Sequence, residues 1–313
     1  MLKVFSITLP IFMLIGMGYA GVRSGLLSRE HIRGVSIFVF YFALPALIVE
    51  ALSAQPLTAV ANVDYFEAYG LGSLVLYCGA LAYFRWARGD PLSRAAILAL
   101  GSSSANSGFI GYPVALMAIG PVAAIALALN MVIENMLMIP LALALGDMGI
   151  SGAGTLWRAM SGTLRRLLRN PIILALIVGA ALSFSGITLP APIARLVDML
   201  ADGAAPAALF VVGGTLVGLR LRGMVSDVGA VVFNKLVLHP LAVGLGFVMF
   251  PGVRLQLKMA AVVIASVPML SVFPILGQRY GQERVCAASL LTATILSFLS
   301  ISVTIWLVPG IFG

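Results

Sequence analysis

A carboxylate and two amides stand together inside an apolar run. Glu134 lies near the middle of residues 121–145, beside Asn135 and one helical turn after Asn130. The i, i+4 spacing puts Asn130 and Glu134 on one helix face. A charge at the centre of a bilayer costs at least about 2.5–3.5 kcal/mol. Such a Glu either carries a proton or Na+, works as a gate, or is a neutral group hydrogen-bonded to a neighbouring helix. A second group follows the same spacing: Lys235 and His239, with Asn234 before them and Pro240 after. Lys235 offers a counter-charge to a carboxylate or an anion. Its place in the run 226–250 favours instead an ammonium that snorkels to the cytoplasmic interface. His239 has the chemistry to titrate near neutral pH, but a lone His beside Pro reads first as a packed core residue. Glu50 reads as a solvated rim position. Asp198 and Asp202, one turn apart before Gly203 and Pro206, are a weaker cation candidate.

The chain has no Walker A loop, no paired His for zinc and no Ser-His-Asp arrangement. The expectation is therefore no enzyme, no cofactor, no metal and no nucleotide-driven pump.

The next chemistry lies in the backbone. Residues 99–113 read Ala-Leu-Gly-Ser-Ser-Ser-Ala-Asn-Ser-Gly-Phe-Ile-Gly-Tyr-Pro. Pro113 removes a donor and disfavours helix at Tyr112. Gly101, Gly108 and Gly111 lower the cost of leaving the helix. Close packing by small residues is the plainer alternative, with Ser104 and Gly108 spaced for it. Asn106 and Pro113 add nothing to packing, and they point to a break. A second stretch, Ala265-Ser-Val-Pro268-Met-Leu-Ser271-Val-Phe-Pro274, carries two prolines six apart. Two discontinuous helices at corresponding places mark a transporter binding site, and half-helix N-termini suit a carboxylate. The candidate substrate-binding set is Asn106, Ser107, Gly108, Gly111, Pro113, Asn130, Pro268, Ser271 and Pro274. The ion-coupling candidates are Glu134, Asn135, Lys235 and His239.

These groups need a membrane around them. The 313 residues are 61% hydrophobic and 10% charged, with mean hydropathy +1.09. Soluble domains carry about 25% charged residues. At about 20 residues per span, ten spans fit: 4–22, 32–54, 67–85, 94–119, 121–145, 171–189, 193–219, 226–250, 254–278 and 283–308. The longest connection, 146–170, is Gly-rich and then basic. Residues 1–22 read as the first span and not as a signal peptide. Cys78 and Cys286 lie in different spans, which argues against a disulfide or metal framework.

Pro10, Pro45 and Pro113 recur 161 residues later as Pro171, Pro206 and Pro274. Gly18, Gly25 and Gly120 keep the same register with Gly179, Gly186 and Gly281. The chain reads as a duplicated five-span unit: 1–145, the loop 146–170, then 171–313. Of the 19 Lys and Arg, 14 fall in connections after odd-numbered spans, among them Arg88, Arg94, Arg158, Arg165, Arg166, Arg169, Arg220, Arg222 and Arg279. The positive-inside rule makes those connections cytoplasmic and puts both termini outside. The net charge of +8 is thus topology and not a nucleic-acid site. An odd number of spans per unit inverts one unit relative to the other, as in secondary transporters.

The run Asn106-Ser-Gly-Phe-Ile-Gly-Tyr-Pro113 resembles the crossover motif of the auxin efflux carrier family. Val267-Pro-Met-Leu-Ser-Val-Phe-Pro274, followed by Gln278-Arg-Tyr-Gly281, and Phe42-Ala-Leu-Pro45-Ala-Leu are similar to its bacterial members. The resemblance covers essentially the whole chain. It implies an all-α membrane protein of ten helices in two inverted five-helix repeats, the fourth and ninth broken and crossing. It implies a scaffold of the first, second, sixth and seventh helices, a moving unit of the others, and often a homodimer. The cargo would be a small organic acid, malonate and similar carboxylates in bacterial members, carried across the cytoplasmic (inner) membrane. The long cytoplasmic loop of many plant members is absent, and the auxin pocket does not map onto these residues. The rival readings are a bile-acid-type Na+ symporter or Na+/H+ antiporter, which share the crossed-helix architecture, and a non-transporting membrane sensor. Coupling to H+ or Na+ stays open.

Overall fold

A computed structural model describes residues 2–53, 63–151, 170–218 and 225–312, and its regular structure is all helical. In chain order these helices are α1 (Leu2–Arg23), α2 (Arg29–Ser53), α3 (63–87), α4 (Leu92–Ser103), α5 (107–119), α6 (123–151), α7 (Pro171–Ser185), α8 (Ala191–Thr215), α9 (Val225–Met249), α10 (Leu255–Ala265), α11 (Phe273–Gln278) and α12 (Glu283–Phe312). Six of them, α1, α2, α6, α8, α9 and α12, are long and apolar enough to cross a membrane. The shorter apolar helices α7 and α10 accompany them. This is a multi-pass helical membrane protein.

Local chemistry explains where several helices start. Ser28 Oγ accepts from His31 N–H and His31 Nδ1 accepts from Ser28 N–H, a reciprocal cap that starts α2 at Arg29, ahead of the expected 32. Asn170 Oδ1 accepts from Ile172 N–H ahead of Pro171, and Gly186 ends the same helix in the left-handed region. The sixth helix runs on to Ser151, past the expected end at 145. Its apolar pattern dissolves there, but Gly149 packs on the Ser93 backbone and holds the turn. Residues 152–169 and 219–224, with Arg158, Arg165, Arg166, Arg169, Arg220 and Arg222, lie outside the described residues.

Two helix pairs mirror each other. α1 packs chiefly on the second half of α8, and α7 chiefly on the second half of α2. Both pairs rely on small residues, because lipid offers no hydrophobic drive between helices and close backbone approach must replace it. Gly18 and Gly213 face the Phe210 and Ile15 carbonyls across the first pair. Gly179, 161 residues after Gly18, faces Leu52 across the second, where an added Cβ would lie 2.9 Å from the Leu52 Cβ. Backbone conformation keeps the same offset: Gly25 and Gly186 have φ of 81° and 65°, Gly120 and Gly281 of 108° and 69°.

A polar network closes one end of the molecule. Asp227, at the start of α9, accepts from Arg88 and Arg94, and Arg94 also donates to Gln282 Oε1 at 2.8 Å. Arg279 and Tyr280 both reach Asp147, each at 2.8 Å. Residues from the third, fifth, seventh and ninth expected connections, or from the helix ends beside them, therefore converge at this end. Such exposed ion pairs are individually weak, but together they tie α3, α4, α6, α9 and α11 at one pole.

Gly213→Ala drives a methyl into the Ile15 backbone and is expected to lower the melting midpoint in detergent by several degrees, the effect of about 2 kcal/mol of overpacking. Gly16→Ala, at a position with open space around it, should leave the midpoint unchanged. Equal midpoints for both variants would contradict this packing.

Candidate functional site

The helix α4 ends in a run of serines that satisfy the backbone from within. Ser102 and Ser103 hydroxyls donate back to the Leu98 and Ala99 carbonyls, each at 2.9 Å. Ser104 is extended (φ −120°, ψ 140°), and the helix resumes only at Ser107. Asn106 restarts it: its Oδ1 accepts from Phe109 N–H at 3.3 Å, and its carbonyl accepts from Ile110 and Gly111. The first turn of α5 is π-helical, a departure common at functional sites. The break therefore sits at 104–106, before Pro113 and not at it. Pro113 lies at the junction to the regular helix 112–119, where its missing N–H does least harm. Pro274 occupies the corresponding first turn of α11, after irregular residues 266–272 that contain Pro268 and Ser271.

The two breaks bond directly to each other. Asn106 N–H donates to the Pro268 carbonyl at 2.9 Å, and Asn106 Nδ2 donates to Ser271 Oγ at 2.6 Å. Gly111 lets α5 pass Ile264 of α10, where an added Cβ would meet the Ile264 Cγ2 at 2.8 Å. Gly101 gives the Phe273 ring its place between α4 and α11. Gly108 faces Met131 of α6 and Leu44 of α2. The sequence-predicted residues Asn106, Ser107, Gly108, Gly111, Pro268 and Ser271 thus meet at one crossing.

An ionisable side chain stands at each side of it. Glu134, buried at 1% exposure, accepts through Oε1 from Ala105 N–H at 3.2 Å and Ser107 Oγ–H at 2.7 Å. Those donors form the N-terminal, electropositive entrance to α5. Lys235, fully buried, places Nζ 2.6 Å from the carbonyl of Ala265, the last residue of α10. That is the electronegative end of a half-helix. The snorkelling expected for Lys235 is therefore wrong. Lys235 sits in the π-helical turn 234–238, which aims its stem inward at a carbonyl left free by the break in the ninth span. His239 is held on both ring nitrogens, Nδ1 at 2.8 Å from Lys235 Nζ and Nε2 at 2.9 Å from Ser73 Oγ. Asn130 Oδ1 accepts from Tyr65 Oη–H at 2.8 Å. Ser104 Oγ, Asn130 Nδ2 and Glu134 Oε2 are buried without a hydrogen-bond partner.

Asn135 does not join this cluster. Its Nδ2 donates to the Met131 carbonyl at 2.8 Å, and its Oδ1 accepts from Asn170 at 3.4 Å, so it fastens α6 to the start of α7. Ile295, which answers Glu134 by register, is exposed on α12. Sequence reasoning missed α3. Tyr65, Tyr69, Ser73 and Tyr77 are buried at steps of four, the polar edge of a single helical stripe. Tyr65 and Ser73 hold Asn130 and His239, and the Tyr69 ring stands edge-on to His239 at 5.9 Å. That four-residue period was the available signal.

The geometry defines a class: a multi-pass helical membrane protein with two broken helices bonded at a buried polar centre. The chain matches the family model described as membrane transport protein over residues 3–306. It is 32% identical over 316 residues to a Rhizobium meliloti (strain 1021) protein named "Putative malonate transporter", covering 98% of this chain and 97% of that one. Proteins named "Uncharacterized transporter YfdV" from Escherichia coli (strain K12) and Shigella flexneri are 26% identical over 244 residues, 75% of each chain. The chain belongs to this membrane transport family, the auxin efflux carrier family that its crossover motifs resemble, and is a membrane transporter.

Lys235→Met leaves the buried Ala265 carbonyl and His239 Nδ1 without their donor and is expected to cost about 1–3 kcal/mol, read as a clearly lower melting midpoint. The double variant Glu134→Gln, Lys235→Met should melt higher than the sum of the two single losses predicts. Strict additivity would show that the two charges are independent.

Proposed function

We propose that this protein is a secondary transporter of small organic anions, mono- or dicarboxylates, working by alternating access. The observation that carries the reading is the hydrogen-bonded crossing of the two broken helices, Asn106 with Pro268 and Ser271. A break in a span is tolerated only where protein or water satisfies the freed backbone, and carriers bind cargo at such places. The relative named for malonate makes a C3 dicarboxylate the first cargo to test.

In this reading ten helices form two inverted repeats, residues 1–145 and 171–313, joined by 146–170. The exchanged packing of α1 on α8 and α7 on α2 supports it, as do the glycine pairs with matching φ. These four helices form the scaffold, and the remainder, tied at one pole by the Asp227 and Asp147 networks, moves against it as a unit. The pole that gathers Arg88, Arg94 and Arg279 is cytoplasmic, which leaves both termini outside, in the inner membrane of a bacterium. The working form is a homodimer.

Asn106 and the N–H groups at the start of α5 receive the carboxylate. Lys235 sits where a carrier of the cation-coupled kind would bind Na+, at the carbonyl end of a half-helix. Its ammonium supplies that charge from within, so transport needs no Na+. A second reading is favoured by the free Glu134 Oε2: Glu134 takes up and releases a proton during the cycle.

Uptake of radiolabelled malonate and related acids into proteoliposomes tests the proposal. Uptake is expected without Na+, and Asn106→Ala should reduce it about tenfold or more, the loss of a charge-assisted hydrogen bond of about 1.5–3 kcal/mol. No flux of any organic acid under imposed H+ or Na+ gradients would overturn the carrier reading. Glu134→Gln transporting with wild-type pH dependence would remove Glu134 from coupling.

A further inference from the structure

A cavity beside the second half of the fourth span has the wrong sign for an anion carrier. A space of about 320 Å³ opens between α2, the second half of the fourth span, the start of α6 and the bend of α8. Its lining includes Glu50, Asp202, Tyr112, Leu47 and Leu116, and no Lys, Arg or His among the described residues. Tyr112 is six residues beyond Asn106, so the cavity begins about 9 Å along the helix from the crossing. It lies where the proposed scaffold (α2, α8) faces the proposed moving unit (α5, α6), the seam along which cargo must travel.

The acidic groups all come from the scaffold side of that seam, from two neighbouring helices, and act on each other. Glu50, on α2, feels the charges of Asp198 and Asp202, one turn apart on α8. Tyr112, on α5, feels Glu50 and Asp202 in turn. The stretch at and just before the start of α6 that lines the cavity is apolar, with Pro121, Ala124 and Ile125. Arg195 lies on α8, seven residues before Asp202, and is not part of the lining. The electronegative wall is therefore not neutralised from within the cavity. The same wall is too exposed to hold a cation: Glu50, Asp198 and Asp202 all face solvent, and no cluster of three metal-binding side chains forms among the described residues.

We propose that this cavity is a charge filter on the cargo path, with Glu50 and Asp202 as specificity-determining residues that admit a singly charged acid and oppose a doubly charged one. The inference rests on the carrier reading above and narrows its cargo. A dicarboxylic acid then crosses as its half-protonated monoanion. Repulsion between unit charges scales with the product of the charges, so a dianion meets twice the barrier of a monoanion at the same place. Both anions are equally able to place one carboxylate on Asn106, so the discrimination arises in the cavity and not at the crossing.

Two probes of equal size separate charge from shape: malonate, a dianion at pH 8, and its monoamide, a monoanion at that pH. Proteoliposome uptake of each is measured at pH 8 for the wild type, Glu50→Gln, Asp202→Asn and the double variant. The wild type should favour the monoamide. The double variant should raise the malonate-to-monoamide ratio about tenfold, with monoamide uptake little changed. Glu50→Asp, which keeps the charge, should behave as wild type, and this separates charge from local packing. An unchanged ratio in a double variant that still carries the monoamide would overturn the filter while leaving the carrier reading intact. Failure of the wild type to carry either probe at any pH would contradict the carrier reading and the filter with it.

Discussion

Everything in this protein turns on how freed backbone groups are satisfied inside a bilayer. Lipid offers no partner to an N–H or C=O, and each one left open costs several kcal/mol. The chain opens two helices at the same depth and lets each answer the other. The Asn106 N–H, free because α4 has ended, finds the Pro268 carbonyl, free because α10 has ended. Glu134 takes the Ala105 N–H, and Lys235 takes the Ala265 carbonyl. Proline at position 268 fits because that residue must accept and has no donor to hide. These groups are paired across the crossing, whereas four buried side-chain atoms, Ser104 Oγ, Asn130 Nδ2, Glu134 Oε2 and Tyr69 Oη, have no partner and sit around the first break.

That concentration separates frame from chemistry. Packing keeps the 161-residue offset: Gly18 and Gly179 each give way to a neighbouring helix in the two pairs, and Gly120 and Gly281 both have positive φ. Side-chain chemistry does not follow it. Asn106 answers Val267, and Glu134 answers Ile295, an exposed residue. Lys235 serves the end of α10 from α9. In the proposed inverted-repeat reading, the frame supplies two nearly equivalent ways to pack, which alternating access needs. The unrepeated polar residues give the buried centre its own identity.

The membrane class, the positions of the helices and both breaks were legible in the sequence, because composition, apolar run length and proline spacing are one-dimensional signals. The pairing of Asn106 with Ser271 was legible only as two polar residues in two breaks. The fate of Lys235 was not legible. Its distance along the helix suggested the interface, and only the three-dimensional crossing brings the Ala265 carbonyl to meet it. The place of the break was shifted too. Pro113 marked the neighbourhood, but serines that bond back to their own helix and an Asn that restarts the next one set the site at 104–106. Asn135, adjacent to Glu134 in sequence, points about 100° away around the helix and fastens α7 instead. The α3 stripe was missed because Tyr65, Tyr69 and Tyr77 carry no charge and lie in an apolar run, where only their burial on one face marks them.

If the crossing is the binding place, it is reached in turn from either side of the membrane. Single-cysteine accessibility tests it most directly. In a background with Cys78 and Cys286 replaced by alanine, Ser271→Cys puts one thiol at the crossing, where the native residue is partly exposed. A membrane-impermeant thiol reagent should label it from either face of oriented vesicles, and saturating malonate should slow labelling from both. Labelling from one face only, or at rates indifferent to every organic acid that the protein carries, would contradict the account.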